Sequence, residues 1–212
     1  MDFGMVFDVA FGDALSTMLG NKVVKAIDDS LLPPDRDVVE VGNTRIVGGI
    51  RPQNYDAAYR PDGPRVVYDS KTLNDAESIR KNWQNMINDL ATEASTVHTR
   101  FPYCIVCFIV AVPRPALAAP QEQALIRTLD RLGSREDELD QHHLAEAISL
   151  VIWNPDGTID TKSPPSDSRL RLEAMHDRIY RAYIDRYRNL PPHEMEEISE
   201  VEPEEKDGSG II

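Results

Sequence analysis

The alternation of apolar and polar positions divides the chain into recognisable segments. Val6, Val9, Ala10, Leu15, Met18 and Leu19 recur at helical spacing and predict a helix before the first double proline. Val23, Val24, Ile27 and Leu31 predict a second helix or a continuation of the first. Residues 38–41 and 45–50 read as extended, with Gly42-Asn43 as a turn. Residues 55–60 and 65–71 read as two strands around Pro61-Asp62-Gly63-Pro64, a strong turn signal. Asn74 and Glu77 have capping-box spacing and open a helix whose stripe is Ile79, Trp83, Met86, Ile87, Leu90 and Ala94. Residues 103–112 form an apolar run rich in Ile and Val, expected of a strand buried on both faces. Helical text then covers 121–147, interrupted near Gly133-Ser134, followed by a short strand at 148–153 and a last helix over about 167–188. This succession predicts an α/β fold, a mixed central sheet with a β-hairpin, flanked by helices.

Composition sharpens the boundaries. Eight acids and one lysine fall between Glu194 and Asp207, a net charge of −7 out of −13 for all 212 residues. The expected organisation is one domain over 1–190 and an acidic, disordered tail over 191–212. That tail is expected to be dispensable for folding and to repel DNA at low salt. The charge argues against a general basic nucleic-acid binder, but it is concentrated in the tail and says little about any one face of the folded part. No apolar run approaches the roughly 20 residues of a membrane helix, and Met1-Asp2-Phe3-Gly4 lacks the basic start of a signal peptide, so the cytoplasm is the expected compartment. Two cysteines exclude a disulfide scaffold.

The hairpin carries the most informative chemistry. If Asp62-Gly63 centres the turn, facing residues have numbers that sum to 125, and Asp56 sits opposite Asp69. Like charges placed so are destabilising unless a cation lies between them. Lys71 follows Asp69 by two residues and projects from the same strand face. Two carboxylates and a lysine on one face suit a divalent cation, a phosphate and an activated water. The plain alternative is a pair of solvated strand acids with Lys71 as a surface partner.

Asp69-Ser70-Lys71, preceded by an acid on the neighbouring strand and followed by a helix, resembles the PD-(D/E)xK nuclease superfamily, the restriction-endonuclease-like fold. The resemblance covers roughly residues 5–153 and implies an αβββαβ core. It also implies a Mg²⁺-dependent nuclease, with Mn²⁺ as a substitute and DNA as the expected substrate, in a restriction or phage-defence role. It further implies Asp56, Asp69 and the Ser70 carbonyl as metal ligands, Lys71 as a catalytic residue, and a polar residue on the following helix, for which Gln84 is the match. An acid from an early element often completes such a site; Asp13 and Glu40 are the two matches. The literal Pro61-Asp62 departs from the pattern, since it lies at the hairpin tip, about 20 Å along the strand from Asp69, and is read as a turn. The resemblance leaves a homodimer open.

Other motifs carry less. Cys104 and Cys107 have CxxC spacing, but residues three apart on a strand face opposite ways, so core thiols are expected. His142-His143 lacks a third ligand and reads as a solvated face, and Gly48-Gly49 lacks phosphate-loop spacing. The arginines of the last helix read as the outer side of an amphipathic helix. Two rival functions remain open: a catalytically inactive binding or assembly module of the same fold, and a cytosolic interaction protein that uses its acidic tail.

Overall fold

A computed structural model of the chain describes residues 3–73 and 76–192, with side chains described over 4–73 and 82–192. The capping pair Asn74 and Glu77 and the tail from 193 onward therefore lie outside the described residues and side chains. The elements are α1 (Phe3–Leu19), β1 (Lys22–Lys25), β2 (Val38–Val47), β3 (Pro52–Tyr59), β4 (Val66–Thr72), α2 (Ala76–His98), β5 (Ile105–Pro113), α3 (Ala119–Leu132), β6 (Ala147–Trp153) and α4 (Leu172–Tyr187). Six strands form one mixed sheet in the order β1-β2-β3-β4-β5-β6. β2, β3 and β4 are an antiparallel meander, whereas β1 joins β2, β5 joins β4 and β6 joins β5 in parallel.

Two apolar layers sandwich the sheet. On one face α2 and α3 cover Val67, Val106, Phe108 and Ile148. On the other, α1 and α4 cover Tyr68, Ile105, Cys107 and Val151, and Phe11 stacks on Tyr68 with ring centroids 4.0 Å apart. Every residue of β5 is buried, because parallel neighbours and helices enclose it on all sides. Cys104 and Cys107 fall in the two different layers as unpaired thiols. Among the described residues no helix is long and apolar enough to cross a membrane.

Three segments differ from the sequence expectation. Residues 22–25 form an edge strand rather than a second helix; Val23 and Val24 pair in parallel with Val39 and Glu40, and the flanking lysines keep the edge charged. Residues 38–47 are one strand, and Gly42-Asn43 is a bulge rather than a turn between two strands. Gly42 has φ +113°, a conformation that favours glycine, at the point where the register with β3 shifts. Residues 134–146 are not helical, and His142 and His143 lie in this loop.

That loop is held by buried charge. Arg135 pairs with Glu146 and donates to the carbonyls of Pro102 (3.0 Å) and Glu138 (2.9 Å). Glu146 also accepts from Arg186 (2.8 Å) and the Val106 amide (2.8 Å), with His98 Nε2 at 3.3 Å. Burial alone would raise the Glu146 pKa, but His98, Arg186 and Arg135 outweigh it and lower it to about 2. Arg178 of α4 donates to the carbonyls of Glu146 and Gly133. Two arginines of α4 thus tie down the loop and are not part of a solvated outer face.

Candidate functional site

The hairpin sets the geometry. Ala57 pairs with Tyr68, Ala58 with Val67 and Tyr59 with Val66, so partner numbers sum to 125. At the turn, Arg65 holds Asp62 with two hydrogen bonds of 2.9 and 2.6 Å, which makes Asp62 a structural turn residue. At the other end the ladder opens after Ala57–Tyr68. There Asp56 Oδ2 accepts from the Ser70 amide at 2.8 Å and from the Ser70 hydroxyl at 2.9 Å. Standard bond lengths then place the Asp56 carboxylate within about 6 Å of the Asp69 Cα.

Val67, Asp69 and Lys71 alternate onto the α2 side of β4, and α2 presents Glu93 to them. The Lys71 ammonium pairs with Asp69 and lies 2.9 Å from Glu93 Oε1. Asp69 and Glu93 are buried, and Glu93 Oε2 is buried without a hydrogen-bond partner. The start of β3 fixes this turn of the helix: the Tyr55 hydroxyl donates to the Glu93 carbonyl at 3.0 Å, and Gln53 Nε2 reaches Glu93 Oε1 at 3.4 Å. Gly49 donates its amide to the Thr96 carbonyl at 2.7 Å; a Cβ on Gly48 would collide with Thr96 of α2, and one on Gly49 with Thr99 just after it. These two glycines therefore serve close packing of the β2–β3 turn on α2.

The electrostatics are those of an acid-rich cluster. Burial raises the Asp69 pKa well above the usual carboxylate range; Lys71 draws it back, while Asp56 and Glu93 push it further up. Burial alone would lower the Lys71 pKa, but Asp69 and Glu93 reverse that and hold its proton. Two carboxylates thus face one ammonium in a half-buried setting, and Asp56 lies near Asp69 as a third.

The other expected residues are placed differently. Gln84 is exposed, and it precedes Glu93 by nine residues, two and a half helical turns, so it points away from the cluster. Asp13 is exposed on α1. Glu40 is buried but bound to Arg60 by bonds of 2.5 and 2.8 Å. Ser70, by contrast, borders the groove beside Lys71 and gives its amide and hydroxyl to Asp56, a use that leaves its carbonyl, the expected ligand, unaffected.

Two acids that the hairpin pattern does not point to enter instead. Glu93 carries a legible signal: Met86, Leu90, Glu93 and Val97 follow one 4-3-4 spacing, so an acid stands at a core position of the helix. Asp8 is one of two charged residues in the apolar α1. Burial chiefly raises the Tyr68 pKa, and Asp8, Asp56 and Asp69 add to it; α1, which carries Asp8, packs on the opposite face of β4.

Beside Lys71 an open groove of about 450 Å³ runs between the end of β4 and α2, bordered by Ser70, Thr72, Asn82, Asn85 and Asp89. Among the described residues no three Asp, Glu, His or Cys side chains already converge as a metal cage. The donor set nevertheless fits a hard divalent cation. Asp69 and Glu93 already share one positive charge, Glu93 Oε2 lacks a partner, and Asp56 adds a further carboxylate beside them. Oxygen ligands of this kind suit Mg²⁺ or Mn²⁺, which complete their shells with water. No family model, curated protein or solved structure matches the chain.

Proposed function

We propose that the protein is a divalent-metal-dependent nuclease acting on phosphodiester bonds, with DNA as the preferred substrate. The observation that carries this reading is the excess of acid at the end of β4: the buried Asp69 and Glu93 share the single cation of Lys71, the half-buried Asp56 lies beside them on Ser70, and Lys71 borders a groove. The succession of α1, the β2–β3–β4 meander, α2 and β5 also supports it, since the PD-(D/E)xK resemblance implies that order.

In this reading Asp69 and Glu93 hold the cation, with Asp56 oriented by Ser70 at its side. A cation held there would supply a bound water of lowered pKa and offset charge on the phosphate. Lys71, at the edge of the groove, would stabilise the negative charge that develops on phosphate oxygens bound there. Tyr55 fixes the helix turn that carries Glu93. Asn82 and Asn85 offer uncharged donors along the groove, which Asp89 also borders.

The test is cleavage of supercoiled and linear DNA, with RNA in parallel, in Mg²⁺, Mn²⁺ or EDTA. Metal-dependent cleavage that disappears in Asp69→Asn and Glu93→Gln is expected. A second reading, a non-catalytic module of the same fold, is favoured by Lys71 already sitting between Asp69 and Glu93. It is selected if neither ion cleaves DNA or RNA and neither raises the melting temperature.

A further inference from the structure

A cavity lies away from the acidic cluster. It measures about 880 Å³, within the range of clefts that take ligands, and shares no lining residue with the groove beside Lys71. The hairpin turn, β2, the loop before β2 and the residues after α2 enclose it. Its polar lining is arginine-rich, with Arg36, Arg45, Arg60 and Arg100 against Asp35 and Asp62. Those two acids and Arg60 have partners elsewhere: Asp62 is held by Arg65, Asp35 lies 3.7 Å from Lys22, and Arg60 is bound to Glu40. Arg45 has two long contacts, 3.6 Å to the exposed Asp29 and 3.5 Å to Asn54 Oδ1. Among the described residues Arg36 and Arg100 make no ion pair. Leu31 and Leu32, on the same wall, are 57% and 74% exposed. The protein is strongly acidic overall, so an arginine-rimmed, leucine-walled cavity needs an explanation.

The described chain ends at the edge of this cavity. The Arg65 guanidinium that holds Asp62 also donates to the Pro191 carbonyl at 2.5 Å. Asp62 is part of the cavity wall, so the chain leaves the core one guanidinium away from it. The residues beyond Pro192 complement the cavity in charge and in pattern. Glu194, Glu196, Glu197, Glu200 and Glu202 alternate with Met195, Ile198 and Val201, apolar residues at intervals of three.

We propose that segment 194–202 docks in cis in this cavity, with its glutamates on Arg36, Arg45 and Arg100 and its apolar residues against Leu31, Leu32 and Phe101. The proposal is independent of the nuclease reading. Short tethering makes the local concentration of the segment high, so weak individual contacts are enough to hold it. Rim ion pairs contribute little each and are screened by salt, so the docked state is salt-sensitive.

Amide hydrogen exchange of the full chain tests this. In about 0.02 M NaCl, segments 194–202 and 31–36 are expected to exchange about tenfold more slowly than in about 0.5 M NaCl. Arg36→Glu with Arg100→Glu should remove that protection, as should Glu196→Arg with Glu197→Arg, and the four changes together should restore it. Exchange in β5 reports whether each variant is folded; Arg36→Glu alone, at an exposed site, serves if Arg100→Glu disturbs the core. Three results each overturn the proposal: exchange of 194–202 at free-peptide rates at low salt, protection that survives charge reversal in the cavity, or protection that rises with protein concentration. The last would assign the cavity to the tail of a second copy.

Discussion

Two buried charge clusters in this molecule have opposite balance. Around Glu146 one carboxylate meets Arg135, Arg186 and His98, and a backbone amide also serves it. Around Asp69 two carboxylates share one lysine, Asp56 adds a third nearby on Ser70, and a carboxylate oxygen of Glu93 is left over among the described residues. The first cluster is closed: its side chains are almost wholly buried, and it joins the 134–146 loop, α2 and α4. The second opens onto a groove at the end of a strand. A buried acid surrounded by cations is fully compensated and has no capacity left for a ligand. Acids in excess of cations raise one another's pKa and are relieved by adding positive charge. The difference separates a cluster that stabilises the fold from one suited to binding a cation.

The largest expected effect lies in the closed cluster. Arg135→Met should destabilise the protein by about 3–5 kcal/mol, because it strands Glu146 without its full set of cations. Chemical denaturation measures this. A loss below about 1 kcal/mol would mean that Arg186 and His98 suffice, and the contrast between the clusters would weaken.

Asp69→Asn should do the reverse. It removes one of several mutually repelling acids, so stability should be unchanged or higher, while cleavage falls by about 10²–10³-fold. If the fold collapses instead, the cluster around Lys71 is structural too.

The pH dependences should also run in opposite directions. Glu146 has its pKa lowered to about 2, below its usual value. Its contribution to stability is therefore present above the unfolded-state pKa and is lost as pH falls through about 2. Glu146→Gln should flatten the acid limb of the melting curve. Asp69 has its pKa raised to about 9, so the folded state favours its proton, and that contribution is lost as pH rises through about 9. Metal binding must displace the same proton, so Mg²⁺ affinity, read by calorimetry, should rise with pH toward about 9. Affinity that is flat between pH 6 and 9 would remove Asp69 from the ligand set.

The smallest effect is expected on the exposed side of α2. Gln84→Ala should change stability by less than about 0.5 kcal/mol and leave cleavage rates unaltered, since Gln84 points away from Glu93. Loss of cleavage in that variant, with Glu93→Gln active, would move the site to the other side of the helix.

Local pattern made part of this site legible in advance. The Pro61–Pro64 turn and the alternation on either side fix the hairpin register, and with it the closeness of Asp56 and Asp69. Lys71 joins them because strand residues two apart share a face. Glu93 was readable in principle as an acid within an apolar stripe, whereas Asp8 had no local mark that set it above Asp13.

The sequence by itself determined the elements whose periodicity is long and unambiguous: α1, the hairpin strands, α2, β5 and β6, and from them a mixed sheet between helices. Tertiary structure decided what short or ambiguous segments became. Val23 and Val24 are a strand only because β2 offers a parallel edge, and four residues are too few for a period to show it. The 134–146 segment has helical composition, yet Arg135 and Glu146 gain more from His98 and Arg186, which are distant in sequence, than from local turns. The choice of acids at the candidate site was likewise set by how α2 and α1 pack on β4. Packing between elements depends on pairings far apart in the chain, and no local pattern of residues encodes them.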